Sequence, residues 1–408
     1  MPEPGLRGRE RHVCLLALVA TFSVVAMSSS LTWPILAESL RLQGYDETAI
    51  GLNAAAQFAG IMFIAGSATW LIPRLGFFRA ALLGLALVAA MLAALPTVRD
   101  YWVWLALRFV LGIGNSLLFT AGDTWINQIV ENRVRGRWMG IYNTAGMAGW
   151  ATGPILGSQM DPNTYGPFLA GLVGIAIAFA FLMPTRRIDV RLRAGSEARA
   201  PLARLLAVFV VAPTVLLSSG MFGVVEGGIQ SFAHLYTMDV LGSDYRATGY
   251  AVIWVGAVGA IFFQYPAGWL ADRVDRGWLL VGCVAVASAA MAIFPWLLPG
   301  AAGAWWSPAA LALWSVVVAW GAAMGATFTV GLTLVGERFR GVELVAANAV
   351  YSLLFGLGGL AGPFLAGVAM DRFGPPGFPA SLFAVAALYT LFAAWRQATR
   401  GRRTGGTA

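Results

Sequence analysis

Three ionisable side chains stand inside stretches that are otherwise almost wholly apolar or small: Arg108 in WLALRFVLGIGN, Asp123 in FTAGDTWIN and Glu226 in GVVEGGIQSF. An uncompensated charge in apolar surroundings is expensive, so such positions are where a protein holds a proton, a partner or a charged ligand. Arg108 is suited to sensing a proton or pairing with an anionic group; the plainer alternative is an arginine that snorkels to the interface beside Asp100. Glu226 is suited to reversible protonation or to binding a cation, against the alternative of a carboxylate satisfied by neighbouring helices. Gly227 and Gly228 follow it and mark a place where a helix could unwind at a cavity.

Softer candidates for a cavity are Asn53, Gln57, Asn115, Trp125, Tyr142, Asn143, Gln230, Trp254, Asn348 and Tyr351. Asn53/Gln57 and Asn348/Tyr351 have i,i+4 and i,i+3 spacing, so each pair is expected to share a helix face. Lining a cavity and hydrogen bonding between helices are both open to these residues.

Other chemistries find little material. The 2 histidines, His12 and His234, are far apart, and the 2 cysteines, Cys14 and Cys283, both fall in apolar runs. No metal site, disulfide framework or cofactor is therefore expected. The chain contains no lysine, which removes a P-loop and with it ATP-driven transport by this polypeptide alone. Nothing resembles a cluster of nucleophile, base and metal ligands, so an enzyme is not expected. A net charge of +8 does not imply a nucleic-acid partner, because the arginines carrying it sit mostly in short connections.

The elements that must position these residues are set by composition. Of 408 residues, 59% are hydrophobic and 11% charged, with mean hydropathy +0.73, whereas a soluble domain carries about 25% charged residues. The apolar residues come in runs of about twenty, enough to cross the hydrocarbon of a bilayer. Spans are predicted at 12–37, 48–72, 79–98, 101–127, 138–160, 166–184, 206–236, 247–271, 278–298, 308–335, 342–369 and 378–396. The first follows the basic segment RGRERH without a small-residue cleavage site, so it reads as a retained helix. Most arginines fall in alternate connections and both tails, which places both termini in the cytoplasm. Residues 185–205 form the longest polar connection, between an N-terminal bundle at 1–184 and a C-terminal bundle with a short basic tail at 206–408; a helix along the inner membrane surface is expected there.

The halves echo each other. A shift of 209 residues lays FTAGDT (119–124) on FTVGLT (328–333) and Gly153-Pro154 on Gly362-Pro363; one gap later Met160-Asp161 meets Met370-Asp371. Gly149, Gly153, Gly157, Gly358 and Gly362 are spaced to admit a neighbouring backbone, and Pro154 and Pro363 each free a carbonyl at a fixed place. They read as paired hinges or sliding surfaces.

Three segments carry a family likeness. GWLADRVDR (268–276) is similar to the loop motif G-x-L-A-D-R-x-G-R, with Asp275 in place of a glycine. Its counterpart TWLIPRLGF (69–77) keeps Arg74 and Gly76 but has Pro73 for the aspartate. RFVLGIG (108–114) and the glycine–proline pattern from Gly140 to Ser158 are similar to the fourth-span and fifth-span "antiporter" motifs. With twelve spans and a duplicated half, the chain resembles the major facilitator superfamily over essentially its whole length.

That resemblance implies an all-α polytopic membrane protein, twelve transmembrane helices in two pseudo-symmetric six-helix bundles, seated as a monomer in the lipid bilayer of a bacterial cytoplasmic membrane. It implies proton coupling at Arg108 and gating by Asp272, Arg273 and Arg276, the Asp272 carboxylate capping a helix in one state. It also suggests a charge relay of Asp123 with Arg74. The expected activity is secondary transport by alternating access, leaning to proton-coupled export of a small organic or amphipathic molecule. Import of a sugar or carboxylate by proton symport is the nearest rival; a lipid flippase or a membrane-embedded enzyme lies further off.

Overall fold

The structure, a computed structural model, describes residues 8–130, 134–188, 202–303 and 305–404. Among them it contains thirteen α-helices and no strand. Their bounds are α1 Gly8–Leu42, α2 Glu47–Leu75, α3 Phe77–Ala94, α4 Tyr101–Ile129, α5 Arg135–Ser158, α6 Gly166–Leu182, α7 Leu202–Val211, α8 Pro213–Leu241, α9 Arg246–Ala271, α10 Arg276–Leu297, α11 Pro308–Arg338, α12 Gly341–Phe373 and α13 Gly377–Thr404. In hydrocarbon every backbone N–H and C=O must bond within its own segment, so apolar runs of this length fold as helices.

Among the described residues, ten helices are long and apolar enough to cross a membrane, and α8 makes an eleventh when joined to α7. The fifth expected span is present as α5, a 24-residue helix rich in glycine and polar residues, and is not among those ten. One boundary is corrected. The span predicted at 206–236 is two helices: α7 meets α8 at a bend of 102°. Pro213 opens α8 at the position where a missing N–H leaves nothing unsatisfied. Most of the polar connection, residues 189–201, lies outside the described residues.

Helix starts use local chemistry. The Asp100 side chain accepts the Val103 N–H ahead of α4, and Ser307 accepts that of Ala310 ahead of α11. Gly76, with φ 83° between α2 and α3, adopts a left-handed conformation closed to most side chains.

By its contacts the chain divides into two compact units, Met1–Leu36 with Ala56–Ala198, and Ala37–Ala55 with Arg199–Ala408. The end of α1 and the start of α2 thus belong to the second unit. In the first unit α1 lies against α5 so closely that a Cβ on Gly149 would meet the Ser23 carbonyl, and one on Gly153 the Ser30 hydroxyl and Leu31 N. In the second unit α8 lies against α12 the same way: a Cβ on Gly358 would meet the Gly220 carbonyl, and one on Gly362 that of Val224. The repeated glycine positions therefore make equivalent helix pairs. Pro154 and Pro363 sit inside helices that continue through them.

Candidate functional site

The first unit gathers buried polar groups where α1, α2 and α4 meet. Arg108 is seven residues into α4, ~10 Å along at 1.5 Å per residue, and is 1% exposed. It does not snorkel. Its guanidinium carbon lies 4.9 Å from the centre of the Trp33 ring on α1, and Trp33 packs edge-on against Phe58 of α2 at 5.2 Å. The glycines let this happen: a Cβ on Gly112, one turn beyond Arg108, would strike the Gln57 carbonyl. One turn back along α1, the Ser29 hydroxyl donates to Asn115 Oδ1 at 3.0 Å. Gln57 and Asn115 are both buried. Nε and Nη2 of Arg108, Nε1 of Trp33 and Oε1 of Gln57 have no hydrogen-bond partner.

Further along α4, Trp125 is fully buried and stacked on Phe77 at 5.7 Å; it is a packing residue of the α3–α4 contact. Tyr142 of α5 is buried against Phe22, with ring centres 4.2 Å apart, and its hydroxyl lies where a Cβ on Gly122 would meet it. Asp123, next along, interacts with that hydroxyl, although its residue surface is exposed. Asn143 and Arg74, the latter in the last turn of α2, are exposed as well.

In the second unit Glu226 lies midway along α8. Its carboxylate accepts the Gln230 side-chain amide at 2.9 Å, and no cation pairs with it among the described residues. The expected unwinding after it is absent: α8 is helical throughout Pro213–Leu241. Gly227 and Gly228 are instead packing glycines, since Cβ atoms there would lie 2.9 Å from the Gly359 carbonyl and 2.7 Å from a Leu382 methyl. Asn53 is buried with both amide atoms unpartnered, and Trp254 is 36% exposed.

Asn348 and Tyr351 do not share an environment: Asn348 is exposed, whereas Tyr351 is 2% exposed within the apolar core of the unit. The Tyr351 hydroxyl donates to the Phe328 carbonyl, and the Tyr351 carbonyl accepts from Ser219. It therefore belongs to the α8–α11–α12 packing.

In this structure the Asp272 carboxylate pairs within the loop. Asp272 bonds Arg276 at 3.1 Å, and Arg276 also pairs with Glu337 of α11 and donates to the Ala271 carbonyl at 2.8 Å. Arg273 lies 3.6 Å over the Trp269 ring. The carboxylate that caps α10 here is Asp275, which accepts the Trp278 N–H at 2.8 Å and the Gln397 amide of α13 at 2.8 Å. Thus the residue that departs from the motif does the capping.

Sequence reasoning missed a charged network at one end of the second unit. Glu38 pairs with Arg246 at 2.7 Å, Arg41 pairs with Asp239 at 2.7 Å and Glu47 at 2.5 Å, and Asp371 accepts the Glu47 and Thr48 N–H groups that open α2 at 3.1 and 2.8 Å. No local spacing could reveal these pairs. The only hint was that Arg41 and Arg246 stand in connections otherwise poor in arginine.

A sequence model described as Major Facilitator Superfamily matches residues 15–320 and 257–406. The chain is 24% identical to the uncharacterized MFS-type transporter YfkF of Bacillus subtilis (strain 168), over 87% of this chain and 88% of that one. It is 26% identical to the uncharacterized MFS-type transporter Ent638_1421 of Enterobacter sp. (strain 638), over 79% and 80%. Among solved structures, a bacterial homologue of the human lysosomal transporter Spinster, in an inward-facing and unoccupied conformation, is similar with TM-score 0.73 at 16% identity, over 95% of this chain and 96% of that one. The D-xylose-proton symporter is similar with TM-score 0.70 at 15% identity, over 93% and 96%. With motifs, helices and sequence model in agreement from residue 15 to residue 406, the chain belongs to the major facilitator superfamily of membrane transporters.

Proposed function

We propose that the protein is a secondary active transporter that works by alternating access and exchanges protons for a small organic or amphipathic molecule in the export direction. In this reading it sits as a monomer in the bacterial cytoplasmic membrane, with residues 1–184 and 206–408 as its two bundles and both termini cytoplasmic. The observation that carries proton coupling is Glu226: a carboxylate in a membrane-spanning helix, bonded to Gln230 at 2.9 Å and without a cation among the described residues. A group of that kind can gain and lose a proton without breaking an ion pair. The direction is supported by the glycine–proline run of α5, which resembles the family's antiporter motif.

Alternation would draw on the glycine-lined α1–α5 and α8–α12 contacts as sliding surfaces, with Arg74, Gly76, Asp272, Arg273 and Arg276 as gating elements. Asp123 would respond to the charge on the gate through Tyr142.

Proton symport into the cell is the second reading, favoured by the fold shared with a D-xylose-proton symporter. Purified protein in liposomes containing a pH-sensitive dye separates the two. An outward substrate gradient that draws protons in identifies exchange, and one that carries protons out identifies symport. Flux of substrate with no proton movement in either direction rejects coupling altogether.

A further inference from the structure

Donors predominate among the unpartnered groups around Arg108 in the first unit. Arg108 Nε, Arg108 Nη2 and Trp33 Nε1 are buried hydrogen-bond donors with no acceptor. Nε and Nη2 share one edge of the guanidinium, the edge that grips a carboxylate with two parallel hydrogen bonds. The guanidinium carbon lies 4.9 Å over the Trp33 ring, and the Nε/Nη2 edge is the side that no acceptor meets. Arg108 and Trp33 are 1% and 3% exposed, and among the described residues no carboxylate pairs with Arg108. A buried cation without a counter-charge is disfavoured by several kcal/mol, so the protein maintains here a positive charge that its own residues leave uncompensated.

The surroundings narrow the partner. A second aromatic ring, Phe58, backs Trp33 at 5.2 Å, so apolar surface adjoins the donors. Gln57 Oε1, held beside the next turn of α4 through Gly112, is one unpartnered acceptor against three donors. A neutral polyol adds a donor with every hydroxyl oxygen and would leave the charge uncompensated. A cation would be repelled. A single carboxylate supplies up to four lone-pair sites and one negative charge, matching both the donor excess and the charge.

We infer that Arg108, with Trp33, is the docking point for the carboxylate of an amphipathic organic monoanion whose apolar body lies against Trp33 and Phe58. The inference rests on the transport reading above and names the substrate class for it.

The test uses the full chain in detergent at constant ionic strength. Thermal unfolding is followed with benzoate, indole-3-acetate or octanoate, each set against its own amide. Carboxylates are expected to raise the Tm and amides are not. R108Q, accepted as folded when it is monodisperse and keeps its own cooperative transition, should weaken the carboxylate effect about 10- to 100-fold, the span expected for losing hydrogen bonds to a charged group. R108K keeps the charge without the fork and should fall between. No difference between acids and amides, or an equal shift in R108Q, overturns the assignment.

Counterflow of the best-bound labelled acid into proteoliposomes then separates this site from the activity. Arg108-dependent stabilisation without counterflow keeps the site and rejects transport. Counterflow that is equal in R108Q and wild type keeps transport and rejects the site.

Discussion

Arg246 Nε lies 2.7 Å from Glu38 Oε1 and 3.0 Å from its Oε2, joining residues 208 positions apart. The same carboxylate accepts the Tyr250 hydroxyl at 2.8 Å, and the guanidinium stacks 4.8 Å above the Tyr250 ring. Glu38→Gln removes the charge and leaves Arg246 without its counter-ion. A loss of about 1.5–3 kcal/mol is expected, the range for hydrogen bonds to charged groups, tempered by the 20% exposure of Arg246. A thermal double-mutant cycle with Arg246→Met should show strong non-additivity; independent effects would mean that the pair carries no stability.

Arg108→Met is expected to raise the Tm of the substrate-free protein. The substitution forfeits a cation–π contact worth ~0.5–2 kcal/mol but removes a buried charge whose desolvation costs more. Transport should be lost in the same variant. A Tm that falls by several degrees would show that Arg108 is a structural cation after all.

Glu226→Gln should uncouple substrate from protons. A glutamine keeps the volume and a hydrogen bond to Gln230 but has no proton to exchange in the neutral pH range. The transport rate of the wild type should fall at low pH, where the carboxyl stays protonated, and at high pH, where it stays charged. The variant should lose this dependence on both sides while retaining gradient-free counterflow. A variant with the wild-type pH profile would remove Glu226 from the coupling scheme.

The motif glycines should separate by the space around them. Gly153→Val and Gly362→Val drive side-chain atoms into a neighbouring helix, and overpacking of this kind typically costs about 1–3 kcal/mol. Gly268, the opening residue of the loop motif, has nothing within 4 Å of a Cβ and lies in α9. Gly268→Ala should therefore be neutral or stabilising by about 0.5–1 kcal/mol, the helix-propensity difference between the two residues. Expression and Tm of the three variants side by side test this ordering.

Asp275→Gly restores the residue that the loop motif would place there. It deletes the cap of α10 and the bond to Gln397. Glycine is itself a tolerated N-cap, so the capping loss is only a few tenths of a kcal/mol there, whereas Asp275→Ala should lose about 1 kcal/mol and Asp275→Asn should retain most of the cap. An unchanged Tm in the alanine variant would show that α10 is held by packing alone.

The halves were legible in the sequence because duplication preserves glycines wherever two backbones touch. Gly149 with Gly153, and Gly358 with Gly362, repeat at one spacing and prove to sit in equivalent helix contacts. The break at Ala212 was not legible, since apolar residues continue across it and only Pro213 hints at a new helix start. Gly227-Gly228 misled for a related reason. A glycine pair can mark an unwound helix or a close approach, and only the position of Gly359 and Leu382 distinguishes them.

The sequence by itself determined that the chain is a set of membrane-length helices in two related halves, and that Arg108 and Glu226 lie within them. Bilayer thickness fixes the length of an apolar run, and backbone hydrogen bonding in hydrocarbon leaves the helix as its form. Tertiary structure alone decided which side chains meet: Trp33 over Arg108, Tyr351 in the core, Asp275 rather than Asp272 at the helix start. A helix that is apolar all round carries no stripe to mark its inward face, so the rotation of each helix about its axis is set only when its neighbours pack against it.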